Sequence, residues 1–386
     1  MIRTVAIALF AIAVSGCGAV NDFMRGKDNA EPAAPLTVLQ NSVQVQTVWS
    51  ARVGSGSDDE YFKLTPNVAN GKVFVADRKG RISAYDALTG RALWSMESKA
   101  PVSGGPGSGD GAVFVGTSDG EVLALEEGNG ELRWRARVPS EVLSAPTAAH
   151  GVVVVRTVDG KLLGLDVREG KRLWAHDSTV PALTLRSTSA PVIVADKVLG
   201  GFASGRLVAL SISDGRVLWE TVIAEPRGRS ELERLVDISA EPRVIDQTVY
   251  VSSYQGRIAA LDIESGRLMW TRAMSSYAGL SVDEHAVYVT DDKGQIFSLD
   301  RRDGRALWKQ DKLRARAVTA PAVYNDYVVT GDFEGYLHWM TRTDGGFVAR
   351  VRIDKAGIIT SPTVAGDLLY VNGRGGVLAA LRISRK

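Results

Sequence analysis

The 386-residue chain has only one cysteine, four histidines and no marked excess of either charge. A single thiol cannot form an intramolecular disulfide, nor can it supply the several thiolates of a structural zinc site. With 46 Lys and Arg against 44 Asp and Glu, the net charge is +2, which excludes the strong positive field that drives most nucleic-acid binding. The remaining composition, 45% hydrophobic with 40 Gly, is typical of a globular protein. We therefore expect no nucleic-acid partner.

The N-terminus has an apolar run of only ten residues, Val5 to Val14, which is too short to span a membrane as a helix. It follows the short positive start Met1-Ile2-Arg3, as in a signal peptide. The run ends in Val14-Ser15-Gly16-Cys17, which resembles the lipobox of bacterial lipoproteins. The resemblance implies a signal peptide over residues 1–16 and a membrane anchor of several acyl chains on Cys17. The alternative is a lone cysteine after an ordinary signal sequence.

The residues after Cys17 are polar, with proline and alanine, and predict a tether over residues 17–44. Gly18 stands where an aspartate would resemble a signal for retention in the inner membrane. We therefore expect the anchor to lie in the outer membrane.

A repeat of the form G-x-[IVL]-x-A-L-D-x-x-x-G-x-x-x-W occupies most of the remaining chain and is clearest from Gly256 to Trp270. Its first glycine recurs at spacings of 38 to 51 residues, a period typical of four-stranded propeller blades or of helical pairs. The eight copies begin at Gly80, Gly120, Gly160, Gly205, Gly256, Gly294, Gly335 and Gly376. Valine-rich runs such as Lys72 to Val75 precede these glycines, and the repeats lack a long 3.6-residue apolar period. The pattern predicts an all-β fold.

Each repeat predicts four strands: a Pro-led strand, a Val-rich strand, the Gly-x-Ile-x-Ala-Leu segment and a strand that carries the tryptophan. Asp-x-x-x-Gly would form the turn between the last two, and the tryptophan would pack on the next sheet. The eighth copy supplies only three strands, whereas Val48-Trp49-Ser50 stands alone before the first copy. We therefore predict one eight-bladed β-propeller of antiparallel blades over residues 45–386, closed by the N-terminal strand. The seventh copy deviates, with Thr341 at the aspartate position and Ala349 at the tryptophan position.

The tryptophan repeat also resembles that of the pyrroloquinoline-quinone dehydrogenases, which hold their quinone against a vicinal disulfide beside a calcium ion. One cysteine cannot form that disulfide, and the repeat aspartates are explained by their turns. The four histidines are far apart in sequence, so we predict surface or loop positions rather than a metal site. Gly104 to Gly109 lacks the Lys-Ser/Thr of a phosphate-binding loop and predicts a flexible loop. We expect no cofactor, no metal and no catalytic residues.

Two spacings, of 45 and 51 residues, exceed the others, and both insertions follow a tryptophan strand. In a propeller the two loops would emerge on one face from adjacent blades, where repeat proteins often bind partners. The first contains Val180 to Arg186, and the second contains Ser230-Glu231-Leu232-Glu233, which predicts a capping box that opens a short helix. The alternative is that Leu183 and Leu185 pack into the ring.

The segments Pro181 to Arg186, Glu233 to Asp237 and Gly331 to Trp339 resemble the BamB family, lipoproteins of the outer-membrane β-barrel assembly (BAM) machinery. The similarity covers essentially the whole chain after the lipobox. It implies a periplasm-facing, non-enzymatic scaffold that binds the POTRA domains of BamA and assists the insertion of β-barrel proteins. Its partner contacts here would be Leu183, Leu185, Arg186 and Asp237. Ser239 replaces a further acidic residue of the family pattern.

Two other functions remain open at this point. One is a degenerate quinoprotein dehydrogenase. The other is a propeller that binds a small ligand or nascent outer-membrane proteins directly.

Overall fold

Residues 31–57 and 62–384, which the computed structural model describes, contain 32 β-strands in eight four-stranded antiparallel sheets. The sheets are the blades of a propeller, and each corresponds to one predicted repeat. The predicted signal peptide and Cys17 lie outside the described residues. Among the described residues, no helix is long and apolar enough to cross a membrane.

The blades are numbered in chain order, and the strands of each run from the central channel outwards. Blade 1 contains β2 (Asn67–Ala69), β3 (Lys72–Ala76), β4 (Arg81–Asp86) and β5 (Ala92–Glu97), and blade 2 contains β6 (Val102–Gly109), β7 (Ala112–Thr117), β8 (Glu121–Glu126) and β9 (Leu132–Arg137). Blade 3 contains β10 (Thr147–Ala149), β11 (Val152–Arg156), β12 (Lys161–Asp166) and β13 (Arg172–Asp177), and blade 4 contains β14 (Val192–Val194), β15 (Lys197–Gly201), β16 (Arg206–Ser211) and β17 (Val217–Val222). Blade 5 contains β18 (Arg243–Ile245), β19 (Thr248–Ser252), β20 (Arg257–Asp262) and β21 (Leu268–Ala273), and blade 6 contains β22 (Gly279–Val282), β23 (Ala286–Thr290), β24 (Ile296–Asp300) and β25 (Ala306–Gln310). Blade 7 contains β26 (Ala322–Tyr324), β27 (Tyr327–Gly331), β28 (Tyr336–Thr341) and β29 (Phe347–Arg352), and blade 8 contains β30 (Thr363–Ala365), β31 (Leu368–Asn372), β32 (Val377–Ser384) and β1 (Gln44–Arg52).

Blade 8 joins the two ends of the described chain, as the sequence predicts. β1 pairs antiparallel with β32, with Gln44 opposite Ser384 and Arg52 opposite Val377. The pairing closes the ring and covers sheet edges that would otherwise be exposed.

The propeller has two faces that differ in their connections. On the connection face, the outer strand of each blade leads to the inner strand of the next. On the turn face, the Asp-x-x-x-Gly turns join the third and fourth strands.

Seven tryptophans of the outer strands link neighbouring blades. Each indole N–H donates to a main-chain carbonyl in the turn between the third and fourth strands of the following blade, at 2.7 to 3.0 Å. The donors are Trp49, Trp94, Trp134, Trp174, Trp219, Trp270 and Trp308. The turn glycine lies against the ring: at Gly266, which has a positive φ, a Cβ atom would lie 2.5 Å from Trp219. The predicted packing of each tryptophan on the next sheet is confirmed.

Ring closure explains why the seventh repeat has no tryptophan. A tryptophan at Ala349 would need the turn between the third and fourth strands of blade 8. That turn does not exist, because β32 and β1 come from opposite ends of the described chain. Ala349 is instead buried beside Trp339 of β28 and Val43, which comes from the segment before β1.

The glycine-rich segment Gly104 to Gly109, predicted as a flexible loop, belongs to the inner strand β6, so that prediction is wrong. Its glycines allow close approach of another backbone. A Cβ atom on Gly107 would lie 1.7 Å from the carbonyl oxygen of Pro146. Glycine here therefore reflects tight packing of inner strands around the channel rather than flexibility.

Candidate docking site

The two inserted loops emerge on the connection face from adjacent blades, as predicted. The first covers residues 178–191, between β13 and β14, and the second covers residues 223–242, between β17 and β18. We call them the first and second docking loops.

Large apolar side chains of the first docking loop are exposed. Leu183 is 40% exposed and Leu185 is 38% exposed, and Val180 lies nearby in sequence with a similar exposure. The structure thus differs from the alternative in which these leucines pack into the ring. With Arg186, these residues form what we call the docking patch. Exposed apolar side chains beside an arginine are typical of the anchors of protein interfaces.

Arg186 already has an ionic partner. Its guanidinium forms an ion pair with Glu141, in the connection between blades 2 and 3. Its backbone has a φ of +52°, a left-handed conformation that is rare outside glycine, and its N–H donates to Thr184 Oγ1 at 3.2 Å. The loop therefore fixes the direction of the arginine, and an incoming carboxylate would have to replace or join Glu141.

Asp237 lies beneath the docking patch rather than within it. Its side chain is 0% exposed, although the sequence suggested a direct partner contact. Burial raises the pKa of Asp237 to about 6, against the opposing effects of the Arg156 charge and the Leu185 backbone amide. Among the described residues, neither carboxylate oxygen has a hydrogen-bond partner, so the contact with the Leu185 amide is too long or too bent to be a regular bond.

Arg156 is a residue of the candidate docking site that the sequence analysis missed. It is buried at the end of β11, and its Nη1 donates to Ser187 Oγ at 2.9 Å and to Ser187 O at 3.2 Å. A signal was available, because the same register position holds only small side chains in every other blade. Those residues are Ala76, Gly116, Gly201, Ser252, Thr290, Gly331 and Asn372.

Serine hydroxyls connect the two docking loops. Ser187 Oγ donates to the carbonyl of Ile238 at 3.3 Å, and Ser189 Oγ donates to the carbonyl of Ala240 at 3.0 Å. Arg156, which is buried, donates hydrogen bonds to the first of these serines, Ser187. The two loops therefore form one unit, in which Asp237 and Arg156 lie under Leu185 and Ser187.

The raised pKa of Asp237 predicts a specific pH dependence of stability. The folded protein retains this proton up to about pH 6, whereas an unfolded chain loses it near the ordinary aspartate pKa of 3.8. Folding therefore binds a proton between these values, and stability falls as pH rises through them. Relative to Asp237→Asn, the wild-type free energy of unfolding should drop by about 3 kcal/mol between pH 3 and pH 7. Urea titrations at several pH values measure this difference, and a pH-independent difference would contradict the assignment.

The second docking loop contains the predicted capping box but no helix. Ser230 Oγ accepts from the Glu233 N–H, and Glu233 Oε2 accepts from the Ser230 N–H, both at 3.2 Å. Only one turn follows, closed by the Arg234 N–H on the Ser230 carbonyl at 3.1 Å. The predicted short helix is therefore wrong, because the chain enters the buried segment from Leu235 to Asp237 immediately afterwards. The turn leaves Leu232 exposed.

The central channel contains a cavity of about 520 Å³, lined mainly by small side chains of the inner strands. Lys63, Glu241 and Arg243 are its charged residues, and burial lowers the pKa of Lys63. Within residues 31–57 and 62–384, no group of three or more His, Cys, Asp or Glu side chains could hold a metal ion.

The histidines do not all lie at the surface. His338, in β28, is fully buried, so the prediction of a surface or loop position is wrong for this residue.

Comparisons with known proteins agree with the fold. A family model described as "Outer membrane protein assembly factor BamB" matches residues 43–101 and 78–310. The protein of that name from Pseudomonas aeruginosa is 47% identical over 378 residues, which cover 98% of each chain.

Solved structures give the same result. The crystal structure of BamB from Moraxella catarrhalis has a TM-score of 0.82 at 27% identity, covering 88% of this chain and 100% of that one. The quinohemoprotein alcohol dehydrogenase from Comamonas testosteroni has a TM-score of 0.70 at 13% identity, over 87% of this chain and 76% of that one, which shows a common fold alone. The chain belongs to the family of outer membrane protein assembly factor BamB.

Proposed function

We propose that this chain is a non-enzymatic scaffold of the BAM complex that binds the POTRA domains of BamA and assists the assembly and insertion of outer-membrane β-barrels. The observation that carries the proposal is the docking patch, held on the connection face of a closed propeller. A rigid ring presents such a patch in one orientation, so little conformational entropy is lost on binding.

The leucines supply the apolar part of the interface. Leu183 and Leu185 each leave more than a third of their surface in water, and a partner groove would bury it. Burial of an aliphatic side chain contributes about 1.5–3 kcal/mol when complete, and proportionately less from this starting exposure.

Arg186 supplies the directional hydrogen bonds of the interface. Its planar guanidinium can donate two parallel hydrogen bonds to a carboxylate or bridge to a carbonyl. The ion pair with Glu141 holds the guanidinium in place before binding.

Asp237 and Arg156 act on the interface indirectly. Both are buried, and they lie beneath Leu185 and Ser187. We assign them as positioning residues, since neither reaches a partner without opening the loop.

Membrane attachment comes from Cys17 in this proposal. Acyl chains on this residue would hold the protein at the outer membrane, facing the periplasm, and raise its effective concentration beside BamA. The near-neutral net charge of +2 gives little electrostatic attraction to lipid, so the anchor would supply the attachment.

The leucine contact is tested by the double variant Leu183→Ala/Leu185→Ala. We expect its affinity for the purified POTRA domains of BamA to fall by at least tenfold, because the apolar anchor is removed. Calorimetric titration measures the change. The matched control is Leu173→Ala/Leu268→Ala, two exposed leucines of outer strands, which should retain wild-type affinity. If the Leu183→Ala/Leu185→Ala variant binds as tightly as the control variant, the docking patch is not the binding site for the POTRA domains.

A further inference from the structure

Residues Ala34–Val43 form an extended segment along the outer strand of blade 7, which we call the strap. The Ala34 N–H donates to the carbonyl of Arg314 at 3.0 Å, and the Ser42 N–H donates to that of Val348 at 2.8 Å. The side chain of Asn41 accepts from the Arg350 N–H at 3.0 Å and donates to the Arg350 carbonyl at 3.4 Å. The strap is therefore bound at both ends, although the sequence predicted a tether over this region.

Two arginines hold the strap by its backbone. Arg316 Nη1 donates to the carbonyl of Ala34 at 3.0 Å, and Arg350 Nη1 donates to the carbonyl of Thr37 at 2.8 Å. These contacts do not depend on the side chains of the strap, which explains why the strap sequence has no recognisable motif.

A buried network orients both arginines. Arg316 Nε donates to Asp332 Oδ2 at 2.9 Å and also pairs with Glu334. His338 Nε2 lies 2.9 Å from Asp332 Oδ2, and Arg350 Nε donates to His338 Nδ1 at 3.2 Å. The imidazole accepts at Nδ1, so its proton lies on Nε2 and it is neutral. Burial lowers the pKa of His338, which favours this state.

The network belongs to blade 7 alone among the described blades. The register position of His338 holds smaller or apolar residues elsewhere: Ser83, Leu123, Leu163, Val208, Ala259, Phe297 and Ala379. Burying Asp332, Arg316 and a histidine is costly unless every charge is compensated. Blade 7 is also the blade that the strap crosses, so the network and the strap occur together.

The direction of the strap determines where the preceding chain meets the ring. β29 runs from the turn face to the connection face, and the strap lies antiparallel to it. Ala34 is thus held at the connection between blades 6 and 7, whereas Ser42 lies near the turn face, where the chain reverses into β1. Without the strap, the ring would begin at Gln44, on the turn face, about one strand length or ~20 Å away.

We propose that the strap is a clasp that fixes Ala34, the point where the strap begins, at the connection between blades 6 and 7, on the same face of the propeller as the docking patch. The importance of that side rests on the proposed function. The clasp itself rests only on the contacts above.

Hydrogen exchange of the full-length lipidated protein in detergent micelles tests the clasp. We expect the amides of Ala34 and Ser42 to be protected in the wild type and to exchange at least tenfold faster in Arg350→Gln. The matched control is Arg135→Gln, which changes the same register position in blade 2 and should leave the strap protected. Strap amides that exchange in the wild type as fast as in an unstructured peptide would overturn the proposal.

A second variant covers the case in which Arg350→Gln perturbs blade 7. Asn41→Ala removes two hydrogen bonds between the strap and the Arg350 backbone and leaves every side chain of the buried network unchanged. We expect it to deprotect Ser42 while the β27 and β28 amides remain protected. Unchanged protection of Ser42 would count against the clasp.

The route is tested by a photo-crosslinking amino acid at the exposed Pro35. We expect crosslinks to residues 311–316 and 333–334 on the connection face. Crosslinks to the turn-face residues 283–286 or 325–326 would overturn the route. Neither experiment measures binding to BamA, so failure of the clasp and failure of the proposed function are separate results.

Discussion

Arg186→Glu is expected to abolish co-purification with BamA and to lower the affinity for the POTRA domains by at least 100-fold. The substitution reverses the charge at the edge of the docking patch and places two carboxylates together, because Glu141 already faces this position. Arginines that are hot spots of interfaces commonly contribute about 2–4 kcal/mol, and a hundredfold change corresponds to about 3 kcal/mol. Affinity purification and calorimetry measure the two effects.

The control for this variant is Arg168→Glu. Arg168 follows Asp166 in an Asp-x-x-x-Gly turn on the turn face, and it is more exposed than Arg186. The charge change is identical, so this variant should bind like the wild type. Both proteins should keep the β-sheet circular dichroism spectrum. Undiminished binding by a folded Arg186→Glu protein would remove Arg186 from the interface.

Cys17→Ser, expressed behind a signal peptide that is cleaved without lipidation, is expected to move the protein from the membrane to the soluble periplasmic fraction when docking is also disabled. The serine hydroxyl cannot take the thioether-linked lipid, and two or more acyl chains are needed for stable attachment. Binding to BamA could retain a non-lipidated protein at the membrane, so the comparison is made with Arg186→Glu present. We expect Arg186→Glu alone to remain in the membrane fraction and Arg186→Glu/Cys17→Ser to be released.

Mass spectrometry of the mature N-terminus completes the test. The single variant should carry acyl chains on Cys17, and the double variant should carry none. Membrane attachment of the double variant after a high-salt wash would contradict the assignment of Cys17 as the anchor.

The fold was predictable because it follows from repetition. Three signals together indicate eight blades and their closure: the spacing of the glycines, the recurring tryptophans and the isolated strand around Trp49. Each of these signals is local in sequence, and the packing of one blade on the next repeats the same contacts.

The errors arise where distant segments meet. Gly104 to Gly109 has the composition of a loop. Its glycines are needed because the backbone around Pro146 approaches too closely for a side chain. Aspartate is usually a surface residue, and only the folded path of its loop buries Asp237 near Arg156. The two arginines bind the strap through its carbonyl groups, and no side-chain pattern in the sequence predicts such contacts. The unusual residues of blade 7 are nevertheless apparent in the sequence.

The docking loops could be predicted only in part. Their positions follow from the repeat spacing, and the exposure of Leu183, Leu185 and Arg186 agrees with the resemblance from which these residues were chosen. Their identification as partner contacts remains a prediction, because their partner is absent from a single chain.

Photo-crosslinking in intact cells tests the central claim most directly. A photo-reactive amino acid replaces Leu185 in the docking patch or, as the matched control, the exposed Met269 on an outer strand. Mass spectrometry then identifies the captured protein and its crosslinked peptide. The account predicts that the probe at position 185 captures the POTRA region of BamA and that the probe at position 269 does not. Capture of BamA from position 269 alone, or of a different protein from position 185, would contradict it.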